Sequence, residues 1–288
     1  YDPATESWTQ MSDFEGTARS GAIAFSIDHI AYVGTGQDMD GLNNDFYKYN
    51  PTTNTWQELG AFEGDARKEA VGFTMGGKGY VGTGRGNTGY FADFWEYNPL
   101  TDDWTQKADF PGTPRIGAVG CGTFPTAYIM LGEDTDFEYR DDVWEYNYFG
   151  NIWTQRADYI GGTRSQASAI VVNNRIFVGL GYNGTYHDDF YEYERILSVN
   201  EIKNAVEFSL FPNPAISHFS LSFAQELNNV NIRIFDNNGR DISGLFTTTS
   251  ISNNKIAVDL HTQISKGNYF ISIFDGETHI GSTKVILN

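Results

Sequence analysis

Short apolar runs separated by turn formers fill the first two thirds of the chain. Ser20-Gly21-Ala22-Ile23-Ala24-Phe25 and Ile30-Ala31-Tyr32-Val33-Gly34 are typical, rich in apolar, β-branched or aromatic residues. None holds a 3.6-residue period long enough for a helix, so the pattern predicts strands. In Asp45-Phe46-Tyr47-Lys48-Tyr49, alternation puts Tyr47 and Tyr49 on one face and Phe46 and Lys48 on the other, so one side offers a double aromatic surface to a neighbouring sheet. Asn50-Pro51-Thr52-Thr53-Asn54, echoed in Asn98-Pro99-Leu100-Thr101-Asp102, predicts a tight hairpin, because proline pre-sets φ and Asn or Asp favours the turn. From residue 207 the pattern changes to alternating strands: 219–223, 230–235, 255–260, 269–274 and 283–287. Six or seven such strands in about 80 residues predict a small β-sandwich.

The strands of the first region recur. Trp8, Trp56, Trp104 and Trp153 are 48, 48 and 49 residues apart, and Arg19, Arg67, Arg115 and Arg164 each follow their Trp by eleven. The acidic–aromatic strand Asp45 to Tyr49 returns as Asp93-Phe94-Trp95-Glu96-Tyr97, Asp142-Val143-Trp144-Glu145-Tyr146 and Asp189-Phe190-Tyr191-Glu192-Tyr193. Three markers in one register define a repeat of the size of a solenoid or propeller unit, and its content makes each repeat one four-stranded antiparallel sheet. Composition marks the same boundary. All six Trp lie between Trp8 and Trp153, and Tyr269 is the one Tyr of seventeen beyond Tyr193. The first 194 residues carry a net charge of −17 and the rest −1. The organisation expected is residues 1–194 as repeats, 195–206 as a linker and 207–288 as the sandwich.

With 288 residues, 40% hydrophobic and 15% aromatic, the chain can bury a substantial core. A net charge of −18 argues against nucleic acid or anionic lipid as a partner, and no apolar run approaches the roughly 20 residues of a membrane span. The lone Cys121 cannot form an internal disulfide and belongs to no zinc-type cluster. The chain opens at Tyr1 without a charged-then-apolar leader, so either a signal peptide has been removed or the sequence is a fragment.

The repeats resemble the kelch family of β-propellers. The likeness rests on Gly34-Thr35-Gly36 and Gly82-Thr83-Gly84 at the end of the second strand, decaying to Gly132 and to Gly179-Leu180-Gly181, followed by Tyr and Trp six or seven residues apart (Tyr49 to Trp56, Tyr97 to Trp104, Tyr146 to Trp153). The fold expected is all-β, a kelch propeller followed by an Ig-like sandwich. The third repeat lacks Gly-Thr-Gly and has Asn147-Tyr148 in place of Asn-Pro, which makes its hairpin the least secure. The fourth supplies three strands, and Tyr1 to Trp8 reads as the end of a third strand and a fourth that completes the last sheet. Kelch propellers usually carry more than four blades, so further repeats are expected upstream.

The tail has its own punctuation: Leu210-Phe211-Pro212-Asn213-Pro214-Ala215, Ile234-Phe235-Asp236-Asn237-Asn238-Gly239-Arg240, Lys266-Gly267-Asn268-Tyr269, and Lys284-Val285-Ile286-Leu287-Asn288. This resembles the type A C-terminal sorting domain of type IX secretion cargo in Bacteroidota. Pro212, Asn213, Pro214, Gly239, Arg240, Gly267, Tyr269 and Lys284 carry the motif. The resemblance implies export to the outer-membrane surface or the medium of a Gram-negative bacterium, with the type IX machinery as partner.

A feature present in every repeat is best explained by building the repeat. The four Arg are therefore expected to brace blades, with ligand binding by Arg19, Arg67, Arg115 and Arg164 as the second reading, since a guanidinium fork suits carboxylates. Specificity is sought in the loops that differ, Gln37–Asn44, Arg85–Ala92, Glu133–Asp141 and Tyr182–Asp188, where Tyr90, Tyr182 and Tyr186 are candidates for stacking on sugar rings. Asp38 to Asp45 places oxygens at alternate positions but lacks the rest of a calcium signature, so no metal is expected. No cofactor is expected either. Copper radical oxidases among kelch relatives need a Tyr crosslinked to Cys and two His ligands, and His29, His187 and Cys121 do not supply that set. No acid–Arg pair is singled out for a sialate isomerase, and no nucleophile elbow appears. The function expected is a secreted or surface-displayed binding protein for a glycan or protein. A carbohydrate-active enzyme of isomerase or oxidase type is the alternative, and a purely structural adhesin module a third.

Overall fold

The computed structural model describes residues 1–172, 175–193, 206–227, 229–236, 239–261, 264–276 and 278–288. The chain divides into two compact units, Tyr1–Glu194 and Arg195–Asn288. Most of the segment expected to be a linker lies outside the described residues; Val206 packs on the core of the second unit.

In the first unit each repeat becomes one sheet. The first holds β1 (Ile23–Ile27), β2 (Ile30–Gly34), β3 (Phe46–Asn50) and β4 (Thr55–Glu58), and the second β5 (Val71–Met75), β6 (Lys78–Gly82), β7 (Phe94–Asn98) and β8 (Asp103–Gln106). The third contains β9 (Arg115–Ile116), β10 (Val119–Thr123), β11 (Thr126–Met130), β12 (Glu133–Asp134), β13 (Val143–Asn147) and β14 (Ile152–Arg156), with β9 and β12 as a separate small ladder. The fourth has β15 (Ser168–Val172), β16 (Arg175–Gly179) and β17 (Phe190–Tyr193). All are antiparallel meanders in sequence order, three of four strands and one of three among the described residues. The first strand of each repeat lies against that of the next, β1 on β5, β5 on β10 and β10 on β15.

Alternation decides what lies between the sheets. Ile23, Phe25 and Ile27 are buried while Ala24 and Ser26 are exposed, and Phe25, Tyr32 and Phe46 meet the second repeat, where Tyr97 and Trp104 lie 5.3 and 5.1 Å from Phe46. Large side chains of one repeat need small ones on the next. A Cβ added at Gly79 would fall 2.3 Å from the Phe25 ring, and one at Gly120 2.6 Å from Phe73.

The same complementarity explains why Gly-Thr-Gly decays. A Cβ at Gly34 would sit 2.1 Å from Phe46, and one at Gly82 2.9 Å from Phe94. In the third repeat the smaller Val143 replaces that Phe, and Met130 fills the space where the glycine stood, both fully buried. The turn itself is unchanged: Thr35, Thr83, Leu131 and Leu180 all have φ between 58° and 63°, and Gly36, Gly84, Gly132 and Gly181 between 92° and 102°. The third hairpin also forms, with Asn147 opposite Ile152 and its Oδ1 accepting from the Gly150 amide.

The N-terminal segment does not complete the fourth sheet among the described residues. Asp2 and Ser7 pair with each other, Tyr1 lies 5.1 Å from Trp8 as Tyr49 lies 5.0 Å from Trp56, and Trp8 is 83% exposed. The local hairpin of strands three and four forms from its own residues, whereas joining the last sheet needs a long-range ladder that β17 does not make with it.

The second unit comprises β18 (Phe208–Phe211), β19 (His218–Phe223), β20 (Val230–Phe235), β21 (Phe246–Ser252), β22 (Lys255–Leu260), β23 (Gly267–Asp275) and β24 (Thr278–Leu287), with a 3₁₀ turn at Ser243–Leu245. The sheets β18-β19-β22-β21 and β20-β23-β24 share one core, in which Phe219, Leu221, Ile256 and Val258 meet Ile232, Ile234, Ile271, Ile273 and Val285.

Candidate functional site

Four arginine–aspartate forks run through the repeats. Arg67 donates from Nη1 and Nη2 to the two carboxylate oxygens of Asp93 at 2.5 and 2.7 Å, from Nη1 to the Thr83 carbonyl at 3.0 Å and from Nε to the Asp65 carbonyl at 2.9 Å. Its guanidinium also stacks 4.9 Å from the Phe62 ring centre and 4.2 Å from Phe91. Arg19 pairs likewise with Asp45, Arg115 with Asp142 and Arg164 with Asp189. Three of these arginines are fully buried. In each fork at least four hydrogen bonds of a planar cation are made within its own repeat, to the carbonyl just after the second strand, to both oxygens of the Asp just before the third, and to a carbonyl two residues before the arginine.

The electrostatics follow the geometry. Burial alone would raise the Asp142 pKa, but the hydrogen bonds and charge of Arg115, with the Trp144 indole, hold it below the ordinary value. Arg164 does the same for Asp189, chiefly through its hydrogen bond. The carbonyls of Arg67, Arg115 and Arg164 then receive the glycine of the preceding repeat: Gly36 N–H bonds Arg67 O at 2.7 Å, Gly84 N–H bonds Arg115 O at 2.9 Å and Gly132 N–H bonds Arg164 O at 2.8 Å. Two positions on, Glu69, Gly117 and Gln166 each donate to the residue one repeat back, and all have positive φ. Each fork is therefore tied to the junction between repeats.

These ties position the loops that follow the glycines. In each, the backbone closes a small hairpin, with Gln37 opposite Leu42, Arg85 opposite Tyr90, Glu133 opposite Tyr139 and Tyr182 opposite Tyr186. The side chains differ. Tyr182 contacts Tyr139 of the preceding repeat edge to face at 6.3 Å and Tyr186 at 4.9 Å, and Tyr186 is 87% exposed. Burial and then the Glu133 carboxylate raise the phenol pKa of Tyr90 and of Tyr139, so Glu133 lies within electrostatic reach of both. Arg140 is committed to the buried Asp134. Three successive repeats thus contribute Tyr90, then Glu133 and Tyr139, then Tyr182 and Tyr186. Glu133 and Tyr139 lie in the loop Glu133–Asp141 that the sequence marks as variable, but the sequence singles out neither; the bridge register that sets Tyr139 opposite Glu133 is the missing signal.

Asp38 accepts from Thr17 and from the Asp40 and Gly41 amides. Its pKa is lowered to about 2, first by Thr17 and then by Asn43. With Asp45 occupied by Arg19, two of the three carboxylates of this loop are already partnered. Among the described residues no group of three or more His, Cys, Asp or Glu is placed to hold a metal ion. His29 lies in the β1–β2 turn, His187 bonds Asn183 in the fourth loop, and Cys121 is buried in β10.

In the second unit the sorting motifs meet at one end of the two sheets. The Asn213 carboxamide, between Pro212 and Pro214, donates to the Lys284 carbonyl at 3.0 Å and accepts from the Ile286 amide at 2.9 Å, and Ala215 continues as a parallel bridge to Leu287. Gly267 stands opposite Leu287 and Tyr269 opposite Val285, with the Tyr269 hydroxyl on the Ser265 carbonyl. Gly239 donates to the Asp236 carbonyl and Arg240 to its carboxylate, closing the turn after β20, where Phe235 pairs with Phe270 and Phe270 with Lys284. No helix among the described residues is long and apolar enough to cross a membrane.

No curated protein matches the chain. Among 178 matching chains of solved structures, one described as "Structure of YjhT" is 22% identical over 61% of this chain, with a TM-score of 0.54. This chain spans 62% of that structure's length, and at this identity the likeness bears on the fold alone. Residues 209–288 match the family described as "Secretion system C-terminal sorting domain", and they contain the whole Asn213 clamp and the turns that meet it. Residues 209–288 are a secretion system C-terminal sorting domain, which implies export through type IX secretion and makes this a protein of the cell surface or the extracellular space.

Proposed function

We propose that residues 1–194 are blades of a kelch-type propeller and that this exported protein is a binding module, with a glycan as its ligand. The consecutive four-stranded sheets, joined through their first strands, and the fold-level likeness to a solved structure support the propeller. One observation carries the binding reading: loops with a common backbone differ in side chains, and three successive ones bring Tyr90, Glu133, Tyr139, Tyr182 and Tyr186 into one arc. Rings of this kind stack on the apolar faces of pyranoses, and a carboxylate beside them accepts from paired hydroxyls. The forks of Arg19, Arg67, Arg115 and Arg164 act in this reading as braces that fix the loops, because their donors are already occupied.

A glycan array followed by calorimetry on the full chain tests it. Glu133→Gln and Tyr182→Ala are each expected to weaken binding about tenfold, the equivalent of ~1.4 kcal/mol, with the melting temperature retained. Absence of binding to any glycan overturns the reading, and turnover of a bound sugar replaces it with an enzyme.

A further inference from the structure

Four strands end the two sheets of the second unit, β18 and β21 in one, β20 and β24 in the other. Three of these edges are short or covered. β18 has four residues, Asn213 and Ala215 close the end of β24, and the Ile242 amide and Ser243 hydroxyl meet the Ile234 carbonyl and amide of β20. β21 has seven residues, Phe246-Thr247-Thr248-Thr249-Ser250-Ile251-Ser252, with no charge, no proline and, among the described residues, no strand on its outer side. The bulge between Ser250 and Ser252 blunts only its far end. An edge of this kind is a template for a further strand.

The register fixes which groups are open. His261 N–H bonds the Leu245 carbonyl and Leu260 N–H the Ser217 carbonyl, so alternate residues here face β21 and β19 in turn. Carried along the pairs Thr247 with Asp259 and Thr249 with Ala257, this alternation turns the amides and carbonyls of Thr248 and Ser250 to the free edge. The side chains of the same two residues point inwards, in step with the buried Phe246. There they line a cavity of about 370 Å³ together with Val230, Ile232 and Ile256. Ile232 and Ile256 belong to the core, so the floor is apolar, and no charged residue lines the space.

We infer that an extended segment of another protein adds to β21 as a fifth strand of its sheet, with apolar side chains at alternate positions entering this cavity. Main-chain bonds to Thr248 and Ser250 supply affinity, and the cavity selects the side chains. A second copy of this chain fits less well, because β21 paired with β21 offers Thr and Ser where the cavity takes an apolar group. A partner protein is already required here, since a sorting domain is met by the export machinery. Neither the repeats nor a glycan enters into this contact.

The probe is a fluorescein-labelled peptide of alternating Thr and Leu with Lys at each end, titrated with the full chain and followed by anisotropy. It is expected to bind saturably, and the same peptide with Asp in place of Leu is not. Thr248→Pro removes an outward amide without touching the ladder to β22 and is expected to weaken binding about tenfold. Ser250→Leu fills the cavity from within and is expected to weaken binding while raising the melting temperature, which separates lost binding from lost folding. In the free chain the amides of Thr248 and Ser250 should exchange fast and those of Thr247 and Thr249 slowly, and the peptide should slow the first pair. Protection of Thr248 and Ser250 without peptide overturns the inference, because the edge is then already occupied. So does failure of the peptide to bind, binding that both variants leave unchanged, or a dimer in light scattering that Thr248→Pro dissolves.

Discussion

Arg115 and Asn213 do comparable work in the two units by different chemistry. Each ties strand ends together: Arg115 pins the start of the third strand and the end of the second through Asp142 and the Leu131 carbonyl, and Asn213 pins the end of β24 through Lys284 and Ile286. The arginine is fully buried, whereas the carboxamide works at the surface as a stand-in for a peptide group. A repeat unit packs thin sheets face to face, and each sheet gains from a group that reaches three backbone segments at once, which a guanidinium fork does. The sorting unit closes two sheets over one aliphatic core, so a pair of neutral hydrogen bonds suffices to fix register.

The sharpest way to break that contrast is Arg115→Ala. Removing one partner of a buried pair leaves a charge without compensation, so the repeat unit is expected to lose about 3–5 kcal/mol, read as an earlier transition in calorimetry. Arg115→Lys should recover little of it, since an ammonium cannot fill the fork. The same forks make the repeat unit sensitive to acid. Asp142 and Asp189 have pKa values below those of the unfolded chain, so their contribution is full above the unfolded carboxylate pKa of ~3.9 and is lost as pH falls through the folded values. Circular dichroism of the Trp and Tyr bands between neutral pH and pH 2 should show the aromatic-rich unit unfolding in that window, and Arg115→Ala should flatten the dependence.

Next in size is the exchange that repeat three suggests. Gly82→Met is expected to cost roughly 1–3 kcal/mol by overpacking against Phe94, and adding Phe94→Val should return part of it, with a coupling of about 1 kcal/mol in the double-mutant cycle. Strict additivity would remove the volume explanation for the missing Gly-Thr-Gly. The smallest effect expected is in the other unit. Asn213→Ala removes two hydrogen bonds at the surface, worth about 1–2 kcal/mol together, and hydrogen exchange should quicken at Ile286 and Asn288 while the amides of β19 and β22 keep their protection.

Strand positions, hairpins and the period of the first unit were legible because alternation and turn chemistry are local. Arg, Asp and Trp recur at the same offsets, so they could be read as parts of the repeat before any coordinates, though not which carboxylate each Arg meets. Other features were not legible. The third repeat reads as degenerate in sequence, yet Leu131 and Gly132 keep the backbone of Thr35 and Gly36, because the missing glycine is compensated thirteen residues later by Val143 in place of Phe. Tyr1 to Trp8 has the spacing of an outer hairpin and forms one, but its spacing says nothing about which sheet it joins. Tyr139 and Glu133 lie six residues apart in an irregular loop, and their nearness to Tyr90 and Tyr182 belongs to neighbouring repeats.

The sequence by itself determined a repeating sheet in the first unit, alternating strands in the second, and the sorting motifs that send the protein out of the cell, since each of these is written in spacing along one stretch of chain. The tertiary structure alone decided that the guanidinium forks are filled by aspartates, that a methionine and a valine stand where the other repeats have a glycine and a phenylalanine, and that an aromatic arc spans three repeats. These outcomes depend on which side chains meet across sheets, and packing between residues far apart in sequence is set by volume and charge at the junction, which no local pattern contains.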